Sequence, residues 1–324
     1  MHFKKILYVY EERIPIKLQQ MVIRKIKSEK FNLKKMTYRM PLSNQKKLFK
    51  WCDAVLFAPG RKINKKVIEE AKNCKIFQLW SSGHEKFSWE DAKNNKIPVC
   101  TNGSKNNVAV AEHAIMLLLG LAKKIIHFNK ITKLGRWKNN SHGLDLFELK
   151  SKKIGIFGLG KIGLYFARIC KSFNMDVFYY DLVRKKNFEK KYGLKYLSKD
   201  ALLKKCNIFS LHLHLNSKTY NYLKSNDLKK VKKGSIIINV SRAQLIEKCS
   251  LINFLKNGRL GGLGIDTHYN EPTKKNDELL SLPNVICTPH IAGSTIDTYK
   301  RVINDCVDNI KRMLLTGKCK NRVF

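Results

Sequence analysis

The chain has 324 residues, 44% of them hydrophobic, and its 64 Lys and Arg against 25 Asp and Glu give a formal net charge of +39. This length allows about two ordinary domains, and the longest apolar run, residues 114–122, is far shorter than the roughly 20 residues that span a membrane. The nine cysteines include no C-x-x-C pair, which argues against a zinc ribbon or a disulfide framework and favours a reducing cytoplasm.

The positive charge is spread along the chain rather than gathered in a stripe or a tail. Lys greatly outnumbers Arg, and Lys-Lys pairs occur from Lys4-Lys5 to Lys274-Lys275. A nucleic-acid binder concentrates its cations and favours Arg for bidentate contacts. We therefore expect no specific nucleic-acid partner and no membrane partner, although a positive envelope attracts small anions.

Short apolar runs alternate with amphipathic stretches in the first hundred residues. Alternation of this kind favours a parallel sheet with crossover helices. The predicted strands are residues 5–10, 54–59, 75–80 and 97–102, and the predicted helices are residues 16–30 and 64–73.

A long helix is predicted next, over residues 106–131. Asn106 or Asn107 can cap its start, and Lys residues occupy its last turns. Its first half is apolar nearly all round, so we expect it to be buried in a domain or subunit interface. A second series of strands and helices follows, with strands at residues 153–158, 175–181, 207–214, 235–241, 262–268 and 284–290 and a final long helix at 295–315.

The stretch at residues 152–163, "KKIGIFGLGKIG", is a strand that runs into three glycines with the spacing G-x-G-x-x-G. Gly158 allows the tight turn, Gly160 lets the backbone approach a pyrophosphate, and Gly163 permits close packing of helix on strand. The backbone N–H groups of Lys161 and Ile162 then face the phosphates at a helix N-terminus. The stretch therefore predicts a dinucleotide site.

The next predicted strand ends in Asp181, 18 residues beyond Gly163. A carboxylate at this distance accepts hydrogen bonds from the ribose hydroxyls and repels a 2′-phosphate. NAD is therefore favoured over NADP. Arg184, nearby, is a cation that could tolerate the extra phosphate.

Three polar residues, Arg242, Glu271 and His290, follow strands of the second series. Each has an ordinary explanation by itself: a surface cation, a loop acid before proline, and a histidine at a strand end. The carboxyl ends of parallel strands meet at one edge of a sheet, which is where doubly wound folds bind ligands. The three side chains could therefore form one site.

These stretches together resemble the NAD-dependent D-2-hydroxyacid dehydrogenase family, which includes glyoxylate and hydroxypyruvate reductases and phosphoglycerate dehydrogenases. The resemblance covers nearly the whole chain in the family's order. It is carried by residues 106–122, 155–163, 208–219, 234–247, 262–272 and 284–295.

The resemblance implies a catalytic set made of Arg242, Glu271 and His290. His290 would carry the proton that the substrate hydroxyl loses or gains, with Glu271 against its other ring nitrogen. Arg242 would bind the substrate carboxylate and polarise the neighbouring carbonyl. Asp266 matches the family's residue that faces the nicotinamide amide.

The remaining expected site residues belong to both halves of the chain. The loop "LWSSGHEKF" resembles the family loop whose backbone amides receive the substrate carboxylate, here those of Ser82 and Gly83. Substrate would then lie between two domains. His212 and His214 share a strand face as a metal pair could, but no third ligand is in view, so no metal is expected. The expected cofactor-binding residues are Gly158, Gly160, Lys161, Ile162, Gly163, Asp181, His212, Val240, Arg242 and Asp266.

The expected fold is α/β, with two doubly wound parallel-sheet domains. A Rossmann NAD-binding domain, residues 103–293, would be inserted in a flavodoxin-like substrate domain made of residues 1–102 and 294–324. The resemblance also implies a homodimer through the helix at 106–131, and we expect a cytoplasmic enzyme.

The expected reaction is hydride transfer between nicotinamide and a small 2-oxo acid or D-2-hydroxy acid of the glyoxylate, hydroxypyruvate or pyruvate type. D-3-phosphoglycerate dehydrogenase is the alternative, disfavoured because Phe57-Ala58 stands where that branch carries Arg. A corepressor-like protein that senses NAD(H) is the alternative from another class. Glu85, Ala243 and His214 depart from the family's usual Asp, Gly and Pro, and none of the three removes a reacting group.

Overall fold

The computed structural model describes residues 4–137 and 140–323, which form two compact units. One unit combines Met1–Asn106 with Ser294–Phe324, and the other is Asn107–Gly293. Residues 1–3 and 324 of the predicted substrate domain, and residues 138–139 of the predicted Rossmann domain, lie outside the described residues.

The first unit is built on a five-stranded parallel sheet with the order β2-β1-β3-β4-β5. The central strands are continuous apolar runs because helices cover both faces of the sheet, and all five residues of β3 are buried. The strands are β1 Lys5–Tyr10, β2 Asn32–Thr37, β3 Ala54–Ala58, β4 Ile76–Leu79 and β5 Val99–Cys100, and the helices are α1 Ile16–Ser28, α2 Leu42–Trp51, α3 Lys65–Ile68 and α4 Trp89–Asn94.

The second unit is built on a seven-stranded parallel sheet with the order β12-β11-β10-β9-β6-β7-β8. Its strands are β6 Lys153–Phe157, β7 Asp176–Tyr180, β8 Lys195–Tyr196, β9 Ile208–Leu211, β10 Ser235–Asn239, β11 Leu260–Ile265 and β12 Val285–Cys287. Its helices are α5 Asn107–Ala122, α6 Ile125–Lys133, α7 Lys161–Ser172, α8 Lys186–Tyr192, α9 Lys199–Lys205, α10 Ser225–Leu228, α11 Lys248–Lys256 and α12 Glu278–Ser281, with 3-10 turns at Asn140–Asp145 and Ala243–Leu245.

The last helix, α13 Ile296–Thr316, belongs to the first unit. Thr295 caps it by accepting a hydrogen bond from the N–H of Thr298. Its buried face packs on α1, β3 and β4, where Asn309 Nδ2 donates to Gln78 Oε1 at 2.7 Å. The C-terminal segment thus completes the core of the sheet that the first segment begins.

The structure confirms the predicted fold class, with two doubly wound parallel sheets. The helix predicted over 106–131 differs, because it is two helices. Lys124, between α5 and α6, has a left-handed backbone with φ of 47°, which ends the helical path. Nine residues of α5 are buried, whereas α6 buries none. The helical path therefore breaks where burial in the core of the unit stops.

The strand order of the second unit reverses between β6 and β9, since β7 and β8 lie on one side and β10 to β12 on the other. All the paired strands are parallel, so their carboxyl ends share one edge. In open α/β sheets the crevice at such a reversal is where ligands bind. No helix within the described residues combines the length and the apolarity needed to cross a membrane.

Candidate active site

The glycine turn joins β6 to α7 beside the strand reversal. Gly158 has φ of +91°, and a Cβ there would lie 2.8 Å from the backbone oxygen of His212. A Cβ on Gly163 would lie 2.1 Å from the backbone oxygen of Gly158. Both positions therefore need glycine for close packing.

Gly160, between them, is different, because a Cβ there would meet nothing within 4 Å. The residue precedes α7, a helix of 12 residues that begins at Lys161 and carries Ile162 in its first turn. The open space thus faces the N-terminal amides of a helix, the usual environment for a bound phosphate. The turn fits the pyrophosphate of a dinucleotide.

Asp181 follows β7 and is tied to the glycine turn. Its Oδ2 accepts a hydrogen bond from the N–H of Leu159 at 2.7 Å. Arg184, the cation that could tolerate a 2′-phosphate, donates from Nε and Nη2 to the carboxylate of Glu189, both at 2.8 Å. The Arg184 guanidinium lowers the pKa of Glu189 to about 2. The Glu189 carboxylate therefore holds the Arg184 guanidinium.

His212 follows β9, and its ring packs into the protein. Its Nε2 lies 2.9 Å from Ser210 Oγ, and the ring centroid lies 5.1 Å from that of Phe166 in α7. Burial lowers the pKa of His212 to about 3, so the ring is neutral at neutral pH. Its predicted contact with the cofactor stays a prediction. Within the described ranges, no group of three or more His, Cys, Asp or Glu side chains is arranged to hold a metal.

Glu271 and His290 lie on the loops that follow β11 and β12, which are neighbouring strands. His290 Nδ1 and Glu271 Oε1 are 2.8 Å apart, and the N–H of His268 donates to the same oxygen at 3.2 Å. The backbone of His290 is left-handed, with φ of 56°, and its side chain is 45% exposed. The structure thus joins two of the three predicted catalytic residues in an acid–imidazole pair.

Arg242 follows β10, the next strand of the same sheet, two residues beyond the buried Val240. Its backbone oxygen accepts from Asn239 Nδ2 at 2.8 Å, and its Nη1 donates to the backbone oxygen of Ser241 at 2.7 Å. Gln244 Nε2 donates to the backbone oxygen of Tyr269 at 3.3 Å, so the loop of Arg242 is bonded to the loop of Glu271.

Asp266 directly follows β11 and is buried, with 1% of the residue exposed. Its Oδ1 accepts from Thr288 Oγ1 at 2.6 Å, and His113 Nε2 from α5 lies 2.8 Å from the same hydroxyl. Burial lowers the pKa of His113, and the nearby Asp266 carboxylate opposes this shift. Neither Thr288 nor His113 is among the site residues expected from the sequence. The signal for Thr288 was its place two residues before His290.

Ser82 and Gly83 lie after β4 in the first unit, whereas the other predicted site residues belong to the second unit. Ser82 Oγ donates to Asn102 Oδ1 at 2.6 Å, and Ser81 Oγ donates to the backbone oxygen of Gly83 at 2.8 Å. The loop is held by a hydrogen bond of its own and by one to Asn102, which follows β5. The predicted role of Ser82 and Gly83 in binding substrate stays a prediction.

The chain is similar to known proteins over most of its length. A family model described as D-isomer specific 2-hydroxyacid dehydrogenase, NAD binding domain, matches residues 115–292. A glyoxylate reductase of Thermococcus litoralis is 33% identical over 248 residues, 75% of each chain. A D-3-phosphoglycerate dehydrogenase of Archaeoglobus fulgidus is 31% identical over 272 residues, 84% of this chain and 51% of that protein.

A solved structure, that of D-lactate dehydrogenase from Escherichia coli without ligand, superposes with a TM-score of 0.80 at 26% identity. The superposition covers 98% of this chain and 100% of that one. The similarity therefore includes residues from both units.

Proposed function

The chain belongs to the D-isomer specific 2-hydroxyacid dehydrogenase family, and on this premise we propose how its residues interconvert a small 2-oxo acid and the corresponding D-2-hydroxy acid. Members of the family are NAD-dependent oxidoreductases. NAD, when bound, accepts or delivers the hydride at its nicotinamide ring. The observation that carries our assignment of the proton transfer is the 2.8 Å contact between His290 Nδ1 and Glu271 Oε1.

His290 moves the proton through Nε2. Because a carboxylate oxygen accepts at Nδ1, that nitrogen keeps its proton in both states of the ring, and the exchangeable proton is on Nε2. In the reduction of a keto acid, Nε2 donates its proton to the carbonyl oxygen while the hydride reaches the carbonyl carbon; oxidation takes the same proton back. The 45% exposure of the His290 side chain supports this role, since a substrate must reach it.

Arg242 binds the substrate carboxylate and polarises the carbonyl. A guanidinium suits this task because its planar fork matches a carboxylate and keeps its charge at every working pH. The hydrogen bond from Nη1 to Ser241 fixes the direction of the side chain, so the substrate is held in line for the hydride.

The glycine turn and its neighbours hold the cofactor. The open space at Gly160 and the amides of Lys161 and Ile162 receive the pyrophosphate. Asp181 receives the ribose hydroxyls, and the pairing of Arg184 with Glu189 supports NAD over NADP. Val240, Asp266, the backbone of His212 and Arg242 complete the set at the ends of β9, β10 and β11.

A small 2-oxo acid without a phosphate, of the glyoxylate, hydroxypyruvate or pyruvate type, is the substrate that we propose. A phosphoglycerate enzyme needs a cation for the substrate phosphate, and of the two nearby cations, Arg61 and Lys62, Arg61 is paired with Glu11. Phe57, at the position where that branch carries Arg, is fully buried. These observations favour a substrate without a phosphate.

NADH oxidation, followed by absorbance with a panel of glyoxylate, hydroxypyruvate, pyruvate and 3-phosphohydroxypyruvate, tests the proposal. His290→Ala should lower kcat by roughly 10²- to 10⁴-fold and leave the Kd for NADH within about twofold of wild type. His127→Ala, which removes an exposed histidine of α6, is the matched control and should behave as wild type. NADH binding without turnover on any acid would refute the enzyme and favour the NAD(H) sensor.

We also propose that the protein is a cytoplasmic homodimer. Ile125 and Ile126 at the start of α6 are 55% and 61% exposed, and neighbouring exposed aliphatic side chains favour burial against a second copy. The nine cysteines are all free thiols, which suits a reducing compartment. Sedimentation equilibrium of the wild type and of Ile126→Lys tests the dimer, which the lysine should weaken.

A further inference from the structure

We propose that His113 is a positioning residue for His290, acting through a buried chain of hydrogen bonds that runs from His113 to Thr288 and Asp266. This inference rests on the proposed function, because the reactive role of His290 comes from there. His113 acts on the reactive histidine through Thr288, which lies in the segment that joins β12 to His290.

The donor and the acceptor of each hydrogen bond between His113, Thr288 and Asp266 follow from counting protons. Asp266 Oδ1 accepts from the backbone N–H of Ile291 at 2.9 Å, so it is an acceptor for Thr288 as well. The Thr288 hydroxyl has one proton, which it donates to Asp266. It must then accept from His113, whose Nε2 therefore carries a proton. The neutral ring is sufficient for this, because only the Nε2 proton is needed.

Asp266 uses these bonds to hold the backbone on the far side of His290. Its two oxygens accept from the N–H groups of Ile291 and Ala292, each at 2.9 Å. On the near side, the backbone oxygen of Thr288 accepts from the N–H of His290 at 2.9 Å. The left-handed backbone of His290, a conformation that is unfavourable for a non-glycine residue, is thus fixed from both sides.

His113 completes this arrangement from outside the loop. Its side chain is 12% exposed and that of Asp266 is 1% exposed, so water cannot readily replace its bond to Thr288. His268 makes a parallel contact, since its Nε2 donates to the backbone oxygen of Thr288 at 2.9 Å. Two histidines therefore hold Thr288, one at the hydroxyl and one at the carbonyl, and the hydroxyl is the group that reaches Asp266.

Four variants test the role of the His113 N–H. His113→Leu removes the first donor of these hydrogen bonds and Thr288→Val removes the middle hydroxyl, both with little change in volume. His113→Gln keeps a terminal N–H donor, and Thr288→Ser keeps the hydroxyl, so both should rescue. Glu112→Gln, at an exposed position on the same helix, is the matched control.

Hydrogen exchange in the protein without added ligand is the first readout, measured on peptides that contain residues 289–293. His113→Leu and Thr288→Val should speed exchange of the Ile291 and Ala292 amides about 10-fold, the effect of losing one buried hydrogen bond. Peptides from β6 and α7 should exchange as in wild type. His113→Gln, Thr288→Ser and Glu112→Gln should stay within about threefold of wild type.

Steady-state kinetics are the second readout. A displaced imidazole should lower kcat by roughly 10- to 100-fold, while the Kd for NADH and the KM for the 2-oxo acid stay within about twofold. Wild-type exchange at residues 289–293 in His113→Leu, or equal losses in the Gln and Leu variants, would overturn the proposal. So would faster exchange across the whole second unit, which indicates general destabilisation. If the wild type turns over no 2-oxo acid, the proposed function fails while the exchange result still decides the positioning.

Discussion

Two alanine substitutions in the glycine turn should separate folding from cofactor binding. At Gly163 the new methyl would lie 2.1 Å from the backbone oxygen of Gly158, and the backbone must retreat by about 0.9 Å to reach the 3.0 Å limit of real Cβ contacts. Overpacking of this kind costs about 1–3 kcal/mol. We expect the upper end, about 3 kcal/mol of unfolding free energy, because the obstructing atom is backbone.

At Gly160 the same methyl meets nothing within 4 Å, and the residue has φ of −74°, which alanine adopts without strain. Gly160→Ala should lose at most about 1 kcal/mol, the cost of alanine at a helix cap. It fills the space that we assign to the pyrophosphate, so NADH affinity should fall by roughly 10- to 100-fold, the loss of one or two hydrogen bonds to a charged group.

Urea unfolding and NADH titration of both variants measure these two quantities. The two variants should differ in opposite ways. Gly163→Ala should have the lower unfolding free energy. Gly160→Ala should be the more stable of the two, and its loss of NADH affinity should be larger relative to its loss of unfolding free energy. A Gly160→Ala variant that binds NADH as tightly as wild type would refute the assignment of the pyrophosphate site. A Gly163→Ala variant as stable as wild type would refute the packing argument.

Three further substitutions have defined outcomes. Glu189→Ala should release the Arg184 fork and raise the ratio of kcat/KM for NADPH over NADH about 10-fold, which coenzyme kinetics measure; an unchanged ratio would contradict the pairing argument. Burial lowers the pKa of His212 from 6.5 to about 3, so its contribution to stability is present above pH 6.5 and is lost as pH falls toward 3. In urea unfolding from pH 7 to pH 4, His212→Phe should remove up to about 1.4 kcal/mol per pH unit of this loss. Parallel plots of unfolding free energy against pH for wild type and variant would contradict this. Asn309→Ala should lower the unfolding free energy by about 2 kcal/mol, because Gln78 Oε1 then lacks its buried donor, and a loss below about 0.5 kcal/mol would show that the pair relaxes freely.

The sequence predicts most strands of both sheets because buried parallel strands are continuous apolar runs. It misses β2 and β8, which lie at the edges of their sheets. Both carry Lys, as in "NLKKMT" of β2 and "KY" of β8, and charged residues are what edge strands use to avoid further pairing. Their apolar signal is therefore weak for a physical reason.

Some residues of the candidate site are predictable from nearby sequence, and others come together only in the fold. The glycine turn and Asp181 are predictable because spacing along one β-α-β unit determines where they lie. The link from His113 to Thr288 joins residues 175 positions apart in the chain, and no local pattern indicates it. The break at Lys124 was missed because periodicity continues through it, while burial stops.

The strand order separates the residue proposed to bind the ribose from the residues proposed to transfer the proton. Asp181 follows β7, on one side of the glycine turn, whereas Arg242, Glu271 and His290 follow β10, β11 and β12 on the other side. From β6 to β12 there are four strand spacings, roughly 19 Å at about 4.8 Å each. In the proposed function, a dinucleotide bound at Asp181 and Gly160 would extend past β9 toward the acid–imidazole pair. If the proton carrier followed β8 instead, Asp181 would lie between it and the glycine turn. The position of His290 after β12 therefore agrees with the proposed transfer of a hydride and a proton to one carbonyl group.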